Sequence, residues 1–189
     1  MRRLAPFVLP ALLALALGAC QKDAPTPPPL PMPPGADSAL GAVDTSKALR
    51  DGETMDFTAP TLAGDSLALS SLRGKVVLVN FWATWCAPCR QETPALVALR
   101  EQLKDQGFEV VGVSLDLDGQ TAVPPFVEEY RVTYPMLLGD QTLADRFGGT
   151  LGLPTSFLLD REGRLVHRFT GVVPVPMLRP MLTEMLAEG

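Results

Sequence analysis

Four consecutive apolar residues, Val76-Val77-Leu78-Val79, run through Asn80-Phe81-Trp82 towards Cys86-Ala87-Pro88-Cys89, and a helix-periodic segment follows at once. No other feature constrains the fold of this chain as tightly. Alternate side chains of a strand point to opposite faces of a sheet, so a strand apolar at successive positions is covered on both faces. Residues 75–82 therefore predict a central strand with helices on either side. Residues 91–106 then place Leu96, Leu99 and Leu103 at helical spacing, and Gly107 supplies a stop. The four-residue cysteine motif thus sits between the end of a buried strand and the start of a helix.

Residues 108–115 predict a second buried strand, so the first half is a β-α-β unit. Residues 121–130 suit a helix, with Pro124 and Pro125 tolerable only near its first turn. A short strand at 135–138 precedes a helix over 141–147, with Asp140 as N-cap and Gly148-Gly149 closing it. The pattern then changes. Residues 155–160 and 164–170 are short strands joined by Arg161-Glu162-Gly163, a hairpin signal that implies antiparallel pairing. Residues 177–187 predict a closing helix. Upstream, Leu67, Leu69 and Leu72 alternate with small polar residues and predict a short edge strand before Arg73-Gly74. The expected class is α/β: a mixed central sheet flanked by helices, with a β-α-β half followed by a β-hairpin-α half.

The front end is of another kind. Arg2 and Arg3 precede an apolar run over 4–19, with the charged and apolar regions of a secretory signal and too short for a comfortable membrane span. The run ends at Leu17-Gly18-Ala19-Cys20, which looks like a bacterial lipobox, so residues 1–19 are expected to be a lipoprotein signal peptide and Cys20 the lipidated N-terminus. An uncleaved anchor or an ordinary signal peptide would equally place the rest outside the cytoplasm. Residues 20–52 are rich in Pro, Ala and short polar residues, a composition unable to build a core. Proline favours an extended path of about 3.1 Å per residue, so this part is expected to act as a semi-stiff tether. The folded domain is then residues 53–189.

Composition narrows the function. A formal charge of −5 and a pI near 4.9 disfavour nucleic acid, whose phosphates call for a clustered basic face. Three cysteines are too few for a disulfide scaffold, and a structural zinc site takes four ligands where only three cysteines and His167 are present. A C-x-x-C pair opening a helix instead brings two sulfurs within one turn, close enough for a reversible disulfide. The first thiol meets the unpaired N–H groups and positive dipole end of the helix, which favour the thiolate, the form that attacks another disulfide. Cys86 is thus the expected nucleophile and Cys89 the resolving thiol. A purely structural bridge would constrain only a four-residue loop and stabilise little.

The run Asn80-Phe81-Trp82-Ala83-Thr84-Trp85-Cys86-Ala87-Pro88-Cys89, with Glu92 and Pro94 after it, resembles the membrane-anchored thiol:disulfide interchange proteins of the thioredoxin superfamily, the TlpA/ResA branch. Gly152-Leu153-Pro154-Thr155, then Phe157-Leu158-Leu159-Asp160 and Gly163, matches their second signature, and the resemblance runs from about residue 53 to the C-terminus. It implies that Pro154 is cis and faces the active-site sulfurs, with Leu153 docking the client. Trp85, Ala87 and Pro88 complete the expected client-facing set. Asn80 stands where cytoplasmic thioredoxins carry a buried aspartate, so its implied role is structural hydrogen bonding. Glu92 matches the acid that modulates the cysteines in this branch, against the plain alternative of a solvated helix residue.

The branch also implies a specialised reductant, serving for example cytochrome c haem-attachment cysteines or copper-site assembly. Its expected partners are clients with disulfides or cysteine pairs, an upstream membrane electron donor, and the membrane through the lipid anchor. No cofactor, no resident metal and a monomer are expected. Two other readings stay open. A thiol peroxidase asks for Thr or Ser three residues before its attacking cysteine, where Ala83 stands. A copper-delivery module would use Cys86, Cys89 and His167, and tight copper(I) binding lost in His167→Ala would identify it.

Overall fold

The computed structural model of the chain describes residues 52–150 and 152–188. The expected signal peptide, Cys20 and the tether as far as residue 51 lie outside the described residues. The described chain opens with an antiparallel pair, β1 (Thr58–Pro60) and β2 (Ser66–Ala68), followed by a 3-10 turn over Leu69–Leu72. Then come β3 (Val76–Trp82), α1 (Ala87–Leu103), β4 (Phe108–Ser114), α2 (Gly119–Tyr130), β5 (Met136–Leu138) and α3 (Gln141–Arg146). A hairpin of β6 (Thr155–Leu159) and β7 (Leu165–Thr170) leads to α4 (Val175–Ala187).

The main sheet has the order β5-β4-β3-β6-β7. β3 pairs with β4 in parallel, as β4 does with β5, while β3–β6 and β6–β7 are antiparallel. The mixed sheet is the one expected, and its central strand is β3, buried at all seven positions. The alternation of β3 divides the core. Val76, Leu78 and Trp82 pack with Leu96 and Leu99 of α1, Val123 and Phe126 of α2, and Leu178 and Leu182 of α4. Val77, Val79 and Phe81 pack on the other face with Leu143 and Ala144 of α3 and with Phe57, Ala59 and Leu69. Each such fully buried large side chain is worth about 1.5–3 kcal/mol relative to exposure, so both layers hold β3 in place.

Several boundaries differ from the expectation. α1 begins at Ala87, not residue 91, because Pro88 falls in its first turn, where a missing N–H costs no helical bond. Leu69 and Leu72 belong to the 3-10 turn, not to the edge strand, and β1, its partner, carries no signal beyond three residues ending in proline. Pro124 and Pro125 lie inside α2 and not in its first turn. Both are exposed, as are Gln120 and Thr121, so the carbonyls that lose a helical donor there are open to water. α4 starts two residues early and carries Pro180 in its interior, also on an exposed position.

Helix α1 is fixed by more than apolar packing. Glu109 of β4, only 4% exposed, is held by Arg100 of α1, whose Nε donates to Oε1 at 2.9 Å and Nη2 to Oε2 at 3.2 Å. A buried carboxylate is tolerable when met by such a two-pronged guanidinium. The pair ties the last turn of α1 to β4 of the sheet.

Candidate active site

β3 ends at Trp82, and the chain turns through Ala83-Thr84-Trp85 before entering α1, with Cys86 N–H donating to the Ala83 carbonyl at 3.1 Å. Cys86 is the N-cap residue of α1, in extended conformation, and its Sγ accepts the Cys89 N–H at 3.3 Å. Cys86 and Cys89 form a disulfide across Cα atoms 5.3 Å apart. The first sulfur thus sits where the free N–H groups of a helix start converge, the electrostatic setting that stabilises a thiolate once the bond is reduced. Cys89 lies one turn in, buried, with its carbonyl accepting from Thr93 Oγ1 at 2.8 Å.

Glu92, on the same helical face three residues further, is buried at 3% exposure beneath the cysteines' turn. It is not a solvated helix residue. Its Oε1 accepts from Asn80 Nδ2 at 2.8 Å and its Oε2 accepts from the Val173 N–H at 2.9 Å. The second hydrogen of Asn80 Nδ2 goes to Ser156 Oγ at 2.9 Å, across the pairing that sets Asn80 opposite Ser156. Burial pushes the Glu92 pKa above the ordinary carboxyl value, partly opposed by the hydrogen bonds from Val173 and Asn80. Tyr134 faces the same region, and burial, aided by the charge of Glu92, raises its phenol as well. Asn80 therefore supplies the structural hydrogen bonding implied for it.

The Leu153–Pro154 bond is cis, as the resemblance implies. Pro154 is buried at the head of β6, and its carbonyl accepts from the Gly171 N–H at 2.8 Å. Leu153 is half-buried against the cluster that contains Cys86 and Cys89. Trp85, Ala87 and Pro88 are all exposed around the cysteines, Trp85 to 71%. Of the expected site residues, those that are described, Cys86, Cys89, Glu92, Pro154, Leu153, Trp85, Ala87 and Pro88, lie at the same end of the sheet. His167 does not join them: it lies on β7 with its ring 4.5 Å from that of Phe169. Among the described residues no three His, Cys, Asp or Glu side chains gather to hold a metal.

Three contributors were not singled out in the sequence: Ser156, the backbone of Val173, and Asp116. The Asp116 carboxylate accepts from Thr84 N at 3.0 Å, Thr84 Oγ1 at 2.7 Å and Ser114 Oγ at 2.8 Å, and so fastens the loop after β4 to the turn before Cys86. Asp116 had a legible signal, being the first acid beyond a buried strand whose C-terminal end is where α/β sites collect. Ser156 had a weaker one, a polar residue inside an apolar run. A backbone N–H leaves no sequence signal at all.

Comparison with known proteins agrees with this geometry. The AhpC/TSA family matches residues 52–168. The thiol-disulfide oxidoreductase ResA of a Bacillus cereus strain is 34% identical over 128 residues, covering 68% of this chain and 73% of the relative. The crystal structure of a thiol:disulfide interchange protein DsbE from Chlorobium tepidum superposes with a TM-score of 0.67 at 32% identity, over 74% of this chain and 99% of the other. A secreted thiol-disulfide isomerase from Corynebacterium glutamicum superposes with a TM-score of 0.65 at 26% identity, over 71% of this chain and 86% of the other. With a thioredoxin-like fold and a dithiol pair at the start of α1, the chain belongs to the AhpC/TSA family and, within it, to the thiol-disulfide oxidoreductases of the ResA/DsbE type.

Proposed function

We propose that the chain is an extracytoplasmic protein-disulfide reductase, tethered to a membrane through lipidated Cys20 and acting through Cys86 and Cys89. The observation that carries the reading is the Cys86–Cys89 disulfide at the N-cap of α1, above a buried Glu92. In the reduced enzyme the Cys86 thiolate attacks one sulfur of a client disulfide. That S–S bond breaks, a Cys86–client disulfide forms, and the departing client sulfur takes up a proton. Cys89 then loses its proton and attacks Cys86 Sγ, which closes the Cys86–Cys89 bond and releases the second client sulfur as a thiolate to be protonated. The client gains two electrons and two protons, and a membrane dithiol donor restores the enzyme.

Glu92 acts in this scheme as a proton holder. A carboxyl whose pKa burial raises, on the helical face of Cys89, holds its proton more tightly than an exposed one and is placed to pass it towards a leaving sulfur. Pro154 and Leu153 line the sulfurs and dock the client strand, with Trp85, Ala87 and Pro88 around it. The reducing direction and the clients, cytochrome c haem-attachment cysteines or copper-site cysteines, are supported by the resemblance to the TlpA/ResA branch. The extracytoplasmic setting is supported by the signal-like residues 1–19 and by the secreted description of the Corynebacterium relative. A peroxidase reading is not favoured, since Ala83 stands three residues before Cys86 and Thr84, one place later, donates its hydroxyl to Asp116.

A trapping experiment tests the reading. With Cys89→Ser, the attack by Cys86 still proceeds but resolution does not, so a client accumulates as a mixed disulfide that dithiothreitol releases. Cys86→Ser forms no such adduct. Adducts through Cys89 in the Cys86→Ser chain, or none in either, would refute the assignment.

A further inference from the structure

The large apolar side chains left exposed among the described residues are unevenly placed. Leu117 is fully exposed, followed by Trp85 at 71%, Met177 at 57%, Val172 at 47% and Val166 at 38%. All but Val166 belong to the end of the sheet where the cysteines stand. Trp85 follows β3, Leu117 follows the parallel neighbour β4, and Val172 follows β7, which runs in the same sense as β3 beyond antiparallel β6. A single exposed leucine is ordinary, but apolar side chains collected around a reactive group mark an interaction face.

Leu117 is tied to Trp85 through their neighbours. The Asp116 carboxylate holds both the backbone N–H and the hydroxyl of Thr84, so the residue before Leu117 is clamped to the residue before Trp85. The same loop is anchored by the Leu115 N–H on the Trp82 carbonyl at 2.9 Å. Leu117 therefore stands in water by construction, next to the active turn. Cys86 itself is only 4% exposed, so any client sulfur that reaches it brings its flanking residues onto this rim. Both carboxylate oxygens of Asp116 are engaged by Thr84 and Ser114, so its part here is to hold the loop.

We propose that Leu117 is a specificity-determining residue which, with Trp85, forms an apolar lip on the β4 side of Cys86 and selects client segments carrying an apolar side chain beside the reacting cysteine. Asp116 is the positioning residue that holds the lip together. The proposal rests on client exchange at Cys86 as described above. No covalent step is added to it: the lip acts by removing apolar surface from water as the mixed disulfide forms.

The test uses the full chain in a Cys20→Ser background, which leaves Cys86 and Cys89 as the sole thiols. Two synthetic disulfide-bridged peptides differ only in Leu or Ser before the first cysteine, and glutathione disulfide serves as a small reference. Oxidation of the reduced enzyme by each is followed as a second-order rate. The parent chain is expected to react with the Leu peptide about fivefold to tenfold faster than with the Ser peptide, the low end of what one apolar contact discriminates. Leu117→Ser reduces that ratio to near one and leaves the glutathione rate unchanged, while Leu117→Met restores the ratio. Because Leu117 touches no core, its variants fold like the parent. Equal rates for the two peptides in the parent, or a ratio that survives Leu117→Ser, would overturn the lip and leave the oxidoreductase reading standing. Failure of the parent to react with all three disulfides would overturn both.

Discussion

At the level of single residues, the account turns on Glu92. Its carboxyl is raised first by burial, so the folded chain holds the proton to a higher pH than the unfolded chain does. Folding is then linked to proton uptake: the contribution to stability is complete below the ordinary value of 4.5 and is lost as pH rises through the raised value. In the oxidised protein Cys86 and Cys89 do not titrate, and the difference between the parent and a Glu92 variant in urea unfolding across that window reports the carboxyl. Glu92→Gln is expected to flatten the decline, with its amide oxygen accepting from Val173 and its NH2 group donating to a flipped Asn80. A slope equal to that of the parent would place the titrating group elsewhere. Cys86 and Cys89 were legible from residue type and spacing, whereas Pro154 and the role of Glu92 were legible through the family resemblance. Glu92 was legible only as a candidate, since helical spacing puts it below Cys89 without saying whether β7 and α4 cover it. The Val173 N–H that completes its shell comes from a segment 81 residues away.

At the level of elements, the strand–turn–helix unit around the cysteines is held by contacts from its neighbours. Asp116, in the loop between β4 and α2, satisfies two donors of Thr84 and one of Ser114. Asp116→Ala removes these charge-assisted bonds and is expected to cost about 2 kcal/mol of stability by chemical denaturation. It should also slow client exchange, because the turn that presents Cys86 loses its clamp; Asp116→Asn, which can still accept from Thr84, should recover most of both. An unchanged exchange rate in the alanine variant would show that the turn needs no such support. The strands β3, β4, β6 and β7 were readable from apolar runs and from the Glu162-Gly163 turn, where Gly163 takes a φ of 75°. β1 was not: three residues ending in proline hold no periodicity, and only pairing with β2 makes them a strand. The prolines of α2 misled in the other direction, because helix rules written for interiors do not weigh an exposed face whose free carbonyls water can satisfy.

For the whole molecule, the proposed N-terminal address and the redox domain each have their own prediction. If Cys20 carries lipid, the chain partitions with membranes, and Cys20→Ser moves it to the soluble fraction without altering Cys86–Cys89 exchange; unchanged membrane recovery would point to an uncleaved anchor over residues 4–19. The mixed sheet and its two helix layers create the site but do not decide its direction, since dithiol proteins of this fold span about −270 to about −120 mV, a range of roughly 7 kcal/mol. That range is small beside folding terms and within reach of a few groups around the sulfurs, Glu92 among them. The most direct measurement is therefore the equilibrium of the Cys86–Cys89 couple in the full chain against dithiothreitol and glutathione buffers. The account predicts a reversible two-electron couple at or below about −270 mV. A value near about −120 mV would make the protein an oxidant and contradict the reductase assignment.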